Sequence, residues 1–108
     1  MKRISSAIAI ILLGGAICPS LLFAQADSAA LFKSKCSLCH GDDGSGATPT
    51  GRALKAKDLR SDEVQKNSDT ELTEVITKGR NKMPAFGQKL KPEQIQQLVG
   101  YIRHIAKK

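Results

Sequence analysis

Two segments of the chain carry side chains whose types and spacing can do chemistry. The first is Cys36-Ser37-Leu38-Cys39-His40, two thiols three positions apart followed at once by an imidazole. On one helical turn the thiols share a face, and His40, four positions from Cys36, lies over it. Thiols so placed can add across the two vinyl groups of a haem while the adjacent histidine reaches the iron from the same side. Other readings of the motif are weaker. A thioredoxin-like redox pair calls for a βαβ pattern, which the sequence does not show. A structural zinc site needs four ligands, and Cys36, Cys39, His40 and His104 would be the whole supply, two of them adjacent. A disulfide across so short a loop would constrain almost nothing.

The second segment is Asn81-Lys82-Met83-Pro84-Ala85-Phe86. A thioether on the open face of a histidine-bound haem saturates the iron, raises its potential and suits it to electron transfer. Pro84 biases Met83 toward an extended backbone and keeps the segment from continuing as helix. A lone methionine is otherwise core filler, but these neighbours are polar and irregular, which favours ligation. His104 is the rival ligand; it falls off the apolar stripe of its helix and reads as solvated.

The elements that must position these residues are helical. Residues 28 to 35 read as a short amphipathic helix ahead of the thiols. Residues 41 to 51, GDDGSGATPTG, read as a loop, with a short helical stretch over 53 to 56. Its Asp42-Asp43-Gly44 echoes a calcium loop but lacks the closing glutamate, so it reads as a turn. Ser68-Asp69-Thr70-Glu71 has the pattern of a capping box, Leu72, Val75 and Ile76 follow at helical spacing, and Gly79 stands where a helix ends. Pro92 opens a last helix whose stripe is Ile95, Leu98, Val99, Ile102 and Ile105. No strand pattern or repeat is present, so the fold class is all-α.

The start of the chain belongs to export. Lys2 and Arg3, an apolar stretch from Ile4, and Ala24-Gln25-Ala26 make a signal peptide over residues 1–26, cleaved after Ala26 or two residues earlier. An uncleaved membrane anchor and a lipidated Cys18 are poorer readings. Cleavage leaves a single domain, 27–108, with Cys36 and Cys39 as its cysteines, Met83 as its methionine, and Phe32, Phe86 and Tyr101 as its aromatics. Domains near ~70–80 residues usually need a staple beyond their own core, which a haem would supply. Losing Lys2 and Arg3 lowers the formal net charge of +7 by two. Lys78, Arg80, Lys82, Lys89 and Lys91 bracket Met83, a ring of cations fit to attract and orient an acidic partner. An exported chain without an aromatic stacking platform is a poor nucleic-acid binder.

Together the helix before CSLCH, the glycine-rich loop, the run KMPAFG and a closing helix with Tyr101-Ile102 resemble the class I cytochromes c, across essentially all of 27–108. The resemblance implies a small cytochrome c fold of three to five helices around one covalently bound haem c. Cys36 and Cys39 would attach it, and His40 and Met83 would be its axial ligands. Phe32 and Tyr101 match the aromatic pair where first and last helices cross, with Ser28 where the family usually has glycine. The family's loop proline lends its carbonyl to the proximal imidazole; Pro49 is the candidate, in Thr48-Pro49-Thr50 instead of Gly-Pro. Arg52, Lys57 and Arg80 are candidates for the haem propionates. The expected function is a diffusible one-electron carrier and not an enzyme. It would be monomeric, without a membrane span after cleavage, and found in the periplasm or another exported compartment such as the thylakoid lumen. The rival reading is a ligand-binding or peroxidatic haem protein with Met83 off the iron, for which no positioned distal polar residue is identifiable.

Overall fold

Apolar side chains recurring at three and four positions give the last helix one sticky face, and the fold is built on it. In the computed structural model this helix, α6, spans Pro92–His104 and buries Ile95, Leu98, Val99 and Ile102. Pro92 opens it, and the Gln94 side chain accepts the Lys91 N–H at 2.9 Å, satisfying one donor of the first turn. The structure describes the backbone of residues 14–15 and 19–107, and side chains from residue 27 onward. The charged start and most of the apolar stretch of the expected signal peptide lie outside those residues.

The first helix, α1 (Pro19–Lys35), packs against α6. It begins well before residue 28, and both expected cleavage points fall inside it. Phe32 is fully buried at the crossing, its ring centroid 4.7 Å from that of Tyr101 with the planes 38° apart. Ser28, one turn earlier, is buried too. A tilted aromatic pair of this kind adds about 0.5–1.5 kcal/mol to the area it buries.

Four shorter elements connect these two. Helix α2 (Ser37–His40) is a single turn that follows α1 directly. The next, α3 (Pro49–Leu54), starts where the sequence reading placed loop and stops before the expected end at Ala56. Its start is a capping event: the Thr48 hydroxyl accepts the Gly51 N–H at 2.8 Å, and Pro49 supplies the first-turn φ. Helix α4 (Asp62–Gln65), capped by Ser61, has no counterpart in the sequence reading. In α5 (Asp69–Lys78) Ser68 takes the Glu71 N–H at 3.1 Å, the first half of the capping box. Leu72 and Ile76 of α5 turn into the core against α6. The all-α expectation holds. The described residues form six helical segments, more than the three to five expected, because α2 and α4 are single turns.

Candidate haem site

The CSLCH segment is held as one tight turn. Cys36 N–H donates to the Phe32 carbonyl at 2.8 Å, extending the hydrogen bonding of α1, and His40 N–H donates to the Cys36 carbonyl at 2.9 Å. Both thiols are free and half-buried. Burial, and then the neighbouring Cys39, push the Cys36 thiol up to about 11, so it is protonated at neutral pH. Its side chain packs against the apolar core, as does that of Met83.

His40 is oriented by the far side of the loop that follows it. Its ring Nδ1 lies 2.9 Å from the Lys57 carbonyl oxygen. A carbonyl only accepts, so Nδ1 carries the proton and Nε2 keeps its lone pair. Burial lowers the His40 pKa while the Lys57 hydrogen bond opposes it, leaving a half-buried ring that favours the neutral form. The carbonyl expected from Pro49 is therefore supplied by Lys57. Pro49 is spent on starting α3, and its place at that helix's first position turns it to solvent.

The loop between them is set by close backbone approaches. Gly46 N–H donates to the His40 carbonyl at 2.6 Å, and Gly46 adopts φ +77° with the Ala56 carbonyl so near that a Cβ would sit 2.7 Å from it. Leu59 N–H donates to the Gly44 carbonyl at 2.8 Å. The Thr48 hydroxyl donates to the Leu38 carbonyl at 2.7 Å, tying the cap of α3 to the CSLCH turn. Asp43 accepts the Ser45 N–H at 3.0 Å, an ordinary turn contact.

Met83 sits on an equally constrained loop. Arg80 and Met83 exchange backbone hydrogen bonds at 2.9 and 3.2 Å around Asn81, whose φ is +52°. Phe86 N–H and Gly87 N–H then donate to the Ile76 and Thr77 carbonyls at 2.9 and 3.0 Å, stitching the loop to the end of α5. Phe86 is buried, anchoring the segment in the core.

Residues 23–102 match the family model described as cytochrome C oxidase, cbb3-type, subunit III. The chain belongs to the cytochromes c. It is 32% identical over 108 residues to a cytochrome c6 of Nostoc sp. (strain PCC 7120), covering 94% of this chain and 92% of that protein. A cytochrome c6 of Aphanizomenon flos-aquae is 35% identical over 77 residues, 68% of this chain and 82% of that one. Among solved structures, the KustC0563 c-type cytochrome superposes with a TM-score of 0.69 at 35% identity, covering 74% of this chain and 98% of that chain. The chain is thus a small class I cytochrome c and a c-type electron carrier. Membership implies covalently bound haem c.

The residues present fit that group. Two free thiols half-buried on one turn, an imidazole whose free nitrogen is fixed by a hydrogen bond on the other, and a thioether packed on the same core form the donor set that a cytochrome c needs. Among the described residues no three His, Cys, Asp or Glu side chains converge as a metal-ion cage would require. His104 is exposed, its ring 6.4 Å from that of Tyr101. Of the propionate candidates, Lys57 is engaged with Glu63 at 3.1 Å, while Arg52 and Arg80 enter none of the ion pairs found among the described residues. Sequence reasoning missed the Lys57 carbonyl, Thr48 and Gly46. A backbone acceptor leaves no mark in residue type, but Thr-Pro ahead of a short apolar run is a readable cap.

Proposed function

We propose that this cytochrome c is exported, carries one haem c on Cys36 and Cys39 with His40 and Met83 as axial ligands, and passes single electrons between redox proteins. The mature chain would be 27–108, monomeric, in a periplasm or thylakoid lumen. The observation that supports this best is the His40 Nδ1–H held on the Lys57 carbonyl, which leaves Nε2 as the metal-binding nitrogen. When bound, the haem supplies the one-electron ferrous–ferric couple. The chain's own residues bind and orient. Cys36 and Cys39 fix the porphyrin to the attachment turn. His40 is held in one tautomer, and the Arg80–Met83 pairing presents the thioether from a loop with little freedom. Ligands that stay put in both oxidation states reduce the rearrangement each electron requires. No substrate bond is made or broken, so no residue is catalytic.

The test is Met83→Ala in the haem-loaded protein. The wild type should show the near-infrared sulfur-to-iron band of a ferric thioether-bound haem, and the variant should lose it, lower its potential and bind added carbon monoxide or cyanide. A wild type without the band that binds those ligands readily would favour the ligand-binding or peroxidatic reading instead.

A further inference from the structure

The segment that carries the Lys57 carbonyl is not helical, and something must hold it against His40. Upstream, Ala56 N–H donates to the Gly51 carbonyl at 2.8 Å. Downstream, the Asp58 carboxylate accepts Arg60 N–H at 3.0 Å, Arg60 Nε–H at 3.0 Å and Arg60 Nη2–H at 3.3 Å. The Asp58 carbonyl accepts the Ser61 hydroxyl at 2.7 Å. The Arg60 carbonyl is itself tied to the chain terminus, accepting the Lys107 N–H at 3.1 Å. Across the gap, Arg60 Nη1 reaches Asp43 Oδ2 at 3.8 Å, in the loop that follows His40. Arg60 thus bridges the two segments whose approach makes the His40–Lys57 hydrogen bond.

We propose that Arg60 is a positioning residue for the proximal histidine: its fork over Asp58 and its reach to Asp43 seat the Lys57 carbonyl on His40 Nδ1–H and thereby set the haem potential. The inference rests on the reading of His40 as an iron ligand. The Arg60 and Asp58 side chains are 27% and 29% exposed, against 66% for each partner of Lys57–Glu63, so this pair is shielded where the other is screened. A carbonyl that accepts from the distal ring nitrogen makes the imidazole more basic and favours ferric iron. Loosening it raises the potential. Losing a nearby cation, by contrast, favours the more positive ferric state and lowers the potential. The two effects have opposite signs.

The experiment measures midpoint potential and the exchange rate of the His40 Nδ1 proton by NMR in haem-loaded variants. Arg60→Lys keeps the charge and loses the fork; Arg60→Gln loses both; Lys57→Gln loses an adjacent cation and keeps the carbonyl. The expected result is a raised potential in Arg60→Lys, and a lower potential in Arg60→Gln than in Arg60→Lys because the lost cation opposes the rise. In both variants Nδ1–H exchange should be roughly five- to tenfold faster, the factor expected for weakening one ordinary hydrogen bond. Lys57→Gln should keep wild-type exchange and show no rise. An unmoved potential in Arg60→Lys, with an equal fall in Arg60→Gln and Lys57→Gln, would overturn the proposal in favour of charge alone. So would lowered thermal stability with potential and exchange unchanged. If Arg60→Gln does not fold, Arg60→Lys decides. Failure of the underlying reading looks different: His40→Ala would then retain the wild-type low-spin haem spectrum.

Discussion

Gly79 shows how one residue can set the course of the Met83 loop. It stands at φ +74° and ψ +170°, a region open essentially to glycine, at the end of α5. A Cβ there would sit 2.6 Å from the Met83 carbonyl oxygen and 2.9 Å from Ala85 N, both backbone atoms with no flexible end to move aside. The residue therefore ends a helix and also leaves space for the Met83 loop to lie across that end. Gly79→Ala should cost about 1–3 kcal/mol of stability from backbone strain alone. It should also push Met83 out of register, so that, on the proposed ligation of iron by Met83, thermal unfolding and the sulfur-to-iron band report it together. A variant that unfolds earlier but keeps the full band would mean that Phe86 and the α5 carbonyls hold the loop without help from Gly79.

Between elements, α6 is joined to the α4–α5 connection through one guanidinium. Arg103 Nε donates to Asp69 Oδ1 at 2.9 Å, Nη1 to the Gln65 carbonyl at 2.8 Å, and Nη2 to the Asn67 carbonyl. Gln65 in turn donates to the Leu59 and Ile102 carbonyls at 2.7 and 3.0 Å. Arg103→Ala leaves several of these acceptors without a partner and should cost about 2–3 kcal/mol in denaturant unfolding, while Arg103→Lys, lacking the planar fork, should recover less than half. The Asp58 turn adds a pH dependence. The Arg60 side chain beside it holds the Asp58 carboxyl below its ordinary 3.8. A pKa depressed in the folded state contributes stability that is fully present above the unfolded value and is lost as pH falls through the folded one. Unfolding midpoints measured from pH 6 down to about 2 should therefore drop below the carboxylate range, and Asp58→Asn should flatten part of that drop. The same elements explain what could be read in advance. Helices α5 and α6 are periodic over several turns and were legible, and Cys36, Cys39, His40 and Met83 could be named as a candidate site because their chemistry lies in their side chains. Helices α3 and α4 are made by the caps Thr48 and Ser61, not by an apolar stripe. The His40 acceptor is a backbone carbonyl brought in from seventeen residues away, which residue type does not encode.

At the scale of the molecule, charge is sorted along the chain. Asp62, Glu63, Asp69, Glu71 and Glu74 fall in α4 and α5, whereas between Arg80 and Lys107 the one acid is Glu93. Local pairing sharpens the division. Glu74 takes Lys78 at 2.8 Å and Asp69 takes Arg103 at 2.9 Å, but Arg80, Lys82, Lys89 and Lys91 enter none of the ion pairs among the described residues. Lys89 instead stands 5.7 Å above the ring of Phe86, two residues beyond Pro84. Unpaired cations around the Met83 loop keep their full field toward solvent, and a field of one sign both accelerates encounter and orients it. On the proposed function, electron transfer to an acidic redox protein should therefore slow as salt rises, since exposed charges are screened within about 8 Å at 0.15 M ionic strength. Lys82→Glu should lower the second-order rate constant severalfold at low salt and flatten its salt dependence, with the unimolecular step inside the complex unchanged. Lys66→Glu, in the connection after α4, removes the same charge away from the Met83 loop and should do far less. If both variants slow the reaction equally, net charge governs encounter and the cations around Met83 do not form the docking face.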